Sequence, residues 1–167
     1  MRIRSFRCGQ QSKIRSGEDG SALVELALSL PMLCLMLLGT AELARIAYAA
    51  IEVTNAAHSA AVYAASSMAA TADTTGISNA AASDSPNLVG GNAISVVTPV
   101  TVSCTCSNTA YVPTSCSDNT TCQSNGAGMI ATVTVQTQTT FSPMVSLPGW
   151  KPSITLMGKS TEVVSNQ

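Results

Sequence analysis

A single glutamate lies inside the most apolar stretch of this chain. Residues 22–41 contain no charged side chain other than Glu25. As a helix, this run would be roughly 30 Å long, which is the thickness of a bilayer core. A carboxylate within such a segment costs about 3 kcal/mol to place there and usually marks function. If the chain were cut after Gly20, Ser21 would become the first residue and Glu25 the fifth.

The charges that flank the apolar run predict its orientation. The basic residues before it are Arg2, Arg4, Arg7, Lys13 and Arg15, and the first acidic residue is Glu18. Because positive residues stay in the cytoplasm, we expect a single pass with the N-terminus inside and the C-terminal domain outside. A plain signal anchor with a chance glutamate is the alternative. A secretory signal fits poorly, since its apolar core spans only about 7–15 residues.

The helix is predicted to extend beyond the membrane, from about Ser21 to about Ala70. Residues 42–70 contain neither proline nor glycine and are rich in alanine, the strongest helix former. Two separate helices are the alternative. Pro31 removes one backbone hydrogen bond near mid-membrane, and we expect it to bend the helix.

The exported part of this helix is predicted to be amphipathic. Its polar side would carry Arg45, Glu52, Asn55 and Ser59, with Glu42 at the border and paired with Arg45. The opposite side would be formed mainly by small residues, which let a sheet or another helix approach closely. These residues are Leu43, Ile46, Ala47, Ala50, Thr54, Ala57, Ala61 and Ala65. His58 lies at the edge of this apolar side and is interpreted as a packing or capping residue.

The rest of the chain predicts a small β-domain. A polar connector, residues 71–92, has room for one short helix near Ile77–Ala82. Three β-favouring runs follow at residues 93–106, 129–141 and 153–164. The second alternates between a set that begins with Ile130 and Thr132 and a set that begins with Ala131 and Val133, which predicts a strand with one packed face. The expected fold is α+β, with one long N-terminal helix packed on a three-stranded antiparallel sheet. The predicted segments are a leader (1–20), a transmembrane helix (21–41), an exported extension (42–70), the connector (71–92) and the β-domain (93–167).

Four cysteines lie close together in the exported part of the chain. They are Cys104, Cys106, Cys116 and Cys122, while Cys8 lies in the leader and Cys34 in the apolar run. In an exported domain with a small core, such a cluster predicts two disulfides. A zinc site is the alternative, although the spacing lacks paired C-x2-C motifs. Cys104 and Cys106 point the same way on a strand, so we expect each to bond to either Cys116 or Cys122.

Catalysis and nucleic-acid binding are not expected. The acidic residues of the exterior are scattered, and there is one histidine, so no nucleophile and base are predicted to meet. Only Lys151 and Lys159 are basic after Arg45, which leaves no positive patch for nucleic acid. We predict no enzyme activity, no cofactor and no metal site.

The chain resembles the TadE-like proteins of tight-adherence (Flp) pilus systems. The resemblance is carried by GSALVELALSLP, with Glu25 and Pro31, by ARIAYAAIEVTNAAHSAAVYAA, and by TVTVQTQTTFSPMVSLPGW. It implies a minor pseudopilin of a type IV pilus, cleaved between Gly20 and Ser21 by a prepilin peptidase. The four-cysteine insert is not part of the family pattern.

The resemblance also implies partners and a role for the glutamate. Glu25 would pair with the N-terminal amine of a neighbouring subunit, an amine that Ser21 would carry after cleavage. The implied partners are other pilins and pseudopilins, the inner-membrane pilus assembly platform and membrane lipid, and the implied location is the bacterial cytoplasmic membrane. The alternative function is a signal-anchored extracytoplasmic binding module unrelated to pili.

Overall fold

The structure is a computed structural model that describes residues 19–108, 113–114, 116, 120–124, 126–144 and 153–165. The helices are α1 (Asp19–Ala65), α2 (Thr74–Ser83) and α3 (Thr120–Ser124). The strands are β1 (Ser95–Cys106), β2 (Pro113–Thr114), β3 (Met129–Phe141) and β4 (Ile154–Val163). The chain divides into two compact units, residues 1–41 and residues 42–167. The predicted α+β class is confirmed. One helix, α1, covers the apolar run and its extension, where two separate helices were the alternative.

The three long strands form an antiparallel meander. The sheet order is β2-β1-β3-β4, so β3 pairs with both β1 and β4. The predicted bounds of the long strands agree with the observed ones within two residues. The structure adds β2, a two-residue strand that pairs with the end of β1. So short a strand has no alternating pattern by which the sequence could reveal it.

The core lies between residues 42–65 of α1 and one face of the sheet. Val133 and Val135 of β3 are fully buried, and they belong to one cluster with alanines of α1 and with Ile77 of α2. The alternation of buried and exposed residues along β3 confirms the predicted packed face. Because the helix contributes mostly methyl groups, its backbone lies close to the sheet.

The helix face that packs on the sheet differs from the predicted one. Glu52, which was expected on the polar side, is only 6% exposed, whereas Leu43 and Thr54 of the expected apolar side are exposed. The buried residues of α1 are Ala49, Glu52, Val53, Ala56, Ala57, Ala60, Ala61, Ala64 and Ala65. Ala57, Ala61 and Ala65 are buried as predicted. The prediction was wrong for Leu43, Glu52 and Thr54 because it assigned the two sides of the helix by polarity alone. The helix face that packs on the sheet carries mostly alanine side chains, so Gly158 of β4 lies against the backbone carbonyl of Val53.

α1 ends earlier than predicted. It stops at Ala65 rather than near Ala70, and the Ser67 hydroxyl accepts a hydrogen bond from the Ala70 amide in the turn that follows. α2 then begins with Asp73 as its N-cap, because one carboxylate oxygen accepts the Gly76 amide at 2.9 Å. The predicted short helix near Ile77–Ala82 is confirmed as α2.

Candidate functional site

The start of α1 carries the residues predicted for processing. Gly20, Ser21 and Glu25 all lie in its first turns and are exposed. Ser21 and Glu25 are four residues apart, so helix geometry puts them on the same face. Residues 1–18, with Cys8 and the basic leader, lie outside the described residues.

Within the N-terminal unit, residues 20–41 offer an apolar surface with one carboxylate, that of Glu25. Every residue from Gly20 to Ala41 is exposed, including a run of large aliphatic side chains. Within the described part of the chain, α1 is the one helix that is long and apolar enough to cross a membrane, judged by length and composition. This is consistent with a single-pass membrane anchor. Pro31 lies inside α1, and the bend expected there stays a prediction.

At the beginning of the second unit, a charged cluster connects α1 to the end of β3. The Arg45 guanidinium lies 3.1 Å from the Glu42 carboxylate, which confirms the predicted i,i+3 pair. The same guanidinium lies 5.1 Å from the centre of the Phe141 ring, a cation–π contact. Glu42 also accepts the Met144 amide at 2.8 Å. This cluster therefore holds the chain that leaves β3 against the helix.

Two further side-chain contacts involve residues in the last turns of α1. His58 Nδ1 lies 3.2 Å from Glu162 on β4, and His58 is largely exposed. The Tyr63 hydroxyl donates to Asp73 at 2.6 Å. This hydrogen bond, together with the one from the Gly76 amide, lowers the pKa of Asp73 below its ordinary value. Both contacts tie elements together, and neither brings a nucleophile to a base.

The cysteine cluster is joined by two disulfides. Cys104 bonds to Cys116 and Cys106 bonds to Cys122, with Cα atoms 5.4 Å and 5.3 Å apart. Cys104 and Cys106 are both buried on the same side of β1, which fits the expectation that they point alike. Cys34 is a free, exposed cysteine. Among the residues that the structure describes, no group of three potential metal ligands lies close together.

Sequence reasoning missed the most buried carboxylate of the described residues. Glu52 was assigned to the solvent-facing side of the helix, yet it lies inside and accepts a hydrogen bond from Asn87. Asn87 lies in the polar connector, where nothing in the local sequence separates it from its neighbours. The only signal that the sequence offered was the presence of a charged residue, Glu52, in an alanine-rich stretch.

Comparison with known families agrees with the resemblance noted in the sequence. Residues 20–62 match the family model described as TadE-like protein. Over these residues the chain is similar to that family. The match begins at Gly20, includes Glu25 and Pro31, and continues into the part of α1 that packs on the sheet. Comparison with curated proteins and with solved structures returned no match.

The match supports a role related to the Tad pilus, and other pilins are plausible neighbours for a TadE-like chain. The TadE-like family is not known as an enzyme family. The cysteine-containing segment and all of the sheet lie beyond the matched residues.

Proposed function

We propose that this chain is a minor pseudopilin-like subunit that serves assembly of a tight-adherence type IV pilus through subunit contacts. The observation that carries the proposal is the TadE-like match over a helix whose apolar surface bears one exposed carboxylate, Glu25. An exposed apolar helix needs lipid or other helices around it, and both are present where pilins assemble. A prepilin peptidase and an inner-membrane assembly platform are the further partners of this proposal.

In this proposal the peptidase cuts between Gly20 and Ser21 on the cytoplasmic side. The new amine of Ser21 then pairs with Glu25 of a neighbouring subunit, while the exported domain lies outside the membrane. Such a pair stabilises a contact in a low-dielectric environment only when geometry and additional hydrogen bonds compensate for desolvation. The exposure of Glu25 leaves its carboxylate accessible to a partner.

Cleavage is tested by N-terminal sequencing of the chain extracted from membranes of a host with an active prepilin peptidase. The expected product begins at Ser21, and Gly20→Leu is expected to stay uncut. Gly39→Leu is the matched control, because Gly39 lies in the same helix and also has open space where a side chain would be added. A wild-type product that still begins at Met1 would contradict the proposal and favour a plain signal anchor.

The subunit contact is tested with Glu25→Ala. Removing the charge makes the helix more apolar, so membrane insertion is expected to be retained while pilus output is lost. Ser29→Ala is the control, since the Ser29 hydroxyl donates to the Leu26 carbonyl of its own helix at 3.2 Å and has no need of a partner. Normal pilus output from Glu25→Ala would show that this carboxylate is incidental.

A further inference from the structure

The second unit contains a cavity that the proposed function does not use. Its volume is about 430 Å³, and its walls come from α1, the connector after α2, and the end of β3. The rings of Tyr48 and Phe141 and the side chains of Ala49 and Leu88 supply most of the apolar wall. Glu52 lies in the lining, next to Asn87.

Glu52 has one satisfied oxygen and one unsatisfied oxygen. Its Oε1 atom accepts from Asn87 Nδ2 at 2.5 Å, and the same amide nitrogen lies 3.0 Å from the Tyr48 hydroxyl. Its Oε2 atom is buried and has no hydrogen-bond partner among the described residues. Leaving a buried acceptor without a donor is destabilising, and more so when the group is charged. The cavity therefore favours an occupant that can donate a hydrogen bond.

The nearest cation does not neutralise Glu52. Arg45 also lines the cavity, but its guanidinium is hydrogen-bonded to both carboxylate oxygens of Glu42, at 3.1 Å and 3.2 Å. Its charge is thus offset by Glu42, and its plane lies over the Phe141 ring. Arg45 is therefore engaged elsewhere, and among the described residues Glu52 Oε2 is still without a donor.

We propose that this cavity binds the ammonium end of an alkyl chain. An N–H of the ammonium would donate to the Glu52 carboxylate, with Oε2 turned toward the occupant, and the alkyl part would lie along Ala49, Leu88 and Phe141. A charge-assisted bond of this kind is stronger than a neutral one, and aromatic rings attract a cation near their faces. A metal ion fits less well, because Glu52 is the sole carboxylate in the lining and only one of its oxygens is unpartnered. The ammonium would come from a free alkylamine or from a lysine side chain of another protein.

The test is an NMR titration of the isotopically labelled full chain in detergent micelles. We expect n-butylammonium to shift the amide signals of Ala49, Asn87 and Phe141 saturably, and the neutral isostere n-butanol to shift them far less. Glu52→Gln should weaken n-butylammonium binding at least about tenfold, since it replaces a charged acceptor by a neutral one. Glu162→Gln is the matched control, because Glu162 pairs with His58 and does not line the cavity.

A second arm distinguishes the two sources of the ammonium. It compares a blocked tripeptide, Gly-Lys-Gly, with the same peptide carrying norleucine instead of lysine. Tighter binding of the lysine peptide than of n-butylammonium identifies a protein partner, and the reverse identifies a free amine. Absence of saturable shifts, equal shifts with n-butanol, or unchanged affinity in a folded Glu52→Gln variant would overturn the proposal and leave a cavity that holds water only. The comparison with n-butanol uses the wild-type chain, so it stands even if Glu52→Gln fails to fold. None of these outcomes depends on cleavage or on pilus output.

Discussion

Replacing Gly158 by alanine tests how closely the helix approaches the sheet. Gly158 lies on β4, opposite Thr137 of β3, and it is buried. A Cβ atom added there would lie 2.8 Å from the carbonyl carbon of Val53, even nearer to its oxygen, and 2.9 Å from Thr137 Oγ1. Val53 contributes backbone atoms of a packed helix, which cannot rotate away as a flexible side chain would. We therefore expect α1 or β4 to shift.

The cost follows from the contacts that such a shift disturbs. Forcing an extra methyl group into a packed core costs about 1–3 kcal/mol. The buried hydrogen bond from Thr137 Oγ1 to the Val53 carbonyl, 2.8 Å long, would be stretched or lost, which adds about 1 kcal/mol. Compared with glycine, alanine also lowers the conformational entropy of the unfolded chain, which offsets about 0.4–1 kcal/mol of this cost. The net destabilisation is about 1–3.5 kcal/mol, or a drop in melting temperature of roughly 4–14 °C for a unit of this size.

The assay is thermal unfolding of the full chain in detergent micelles, followed by far-ultraviolet circular dichroism, with hydrogen exchange of β3 as a local probe. Gly91→Ala is the matched control, because Gly91 is exposed and a Cβ atom added there would meet nothing within 4 Å. Thr137→Val should give a smaller loss of about 1 kcal/mol, since it removes the hydrogen bond and leaves the space unchanged. Equal melting temperatures for Gly158→Ala and Gly91→Ala would refute the close approach of helix and strand.

Two further predictions concern acid stability and the disulfides. Because the folded-state pKa of Asp73 is lowered, its stabilising contribution is present above the unfolded-state pKa and is lost as the pH falls through the folded-state pKa. In Asp73→Asn, the melting temperature should therefore fall less than in the wild type as the pH is lowered from about 5 to 3. An equal fall in both proteins would contradict a role for this carboxylate. The loops closed by the two disulfides overlap in sequence. Replacing Cys106 and Cys122 by serine should lower the free energy of unfolding by up to about 3 kcal/mol, and by less if the Cys104–Cys116 bond already restrains the same segment. Thermal unfolding measures that loss, leader cleavage should be unaffected, and a melting temperature equal to that of the wild type would refute a stabilising disulfide.

Local patterns accounted for most of the secondary structure. The alternation along β3 depends only on neighbouring residues, so its bounds and its packed face could be predicted. The long helix was equally predictable, because an alanine-rich stretch without proline or glycine from Glu42 onward favours one conformation over many turns. The apolar run around Glu25 could also be recognised from the sequence alone. The affinity of a helix for a membrane depends on the summed polarity of its side chains and not on tertiary contacts.

The orientation of the exported helix was decided by tertiary packing. Among so many alanines the polarity pattern is weak, and the buried face is the one whose backbone can approach Gly158 most closely. That choice places Glu52 in the interior, beside an asparagine that is 35 positions further along the chain. The pairing among the four cysteines likewise depended on the fold, since Cys104 and Cys106 had equivalent sequence arguments for either partner. Sequence by itself determined the elements and the membrane-type character of the N-terminal helix, because these follow from local composition. Only the tertiary structure decided which helix face is buried and where the unsatisfied carboxylate lies, because both depend on contacts between distant segments.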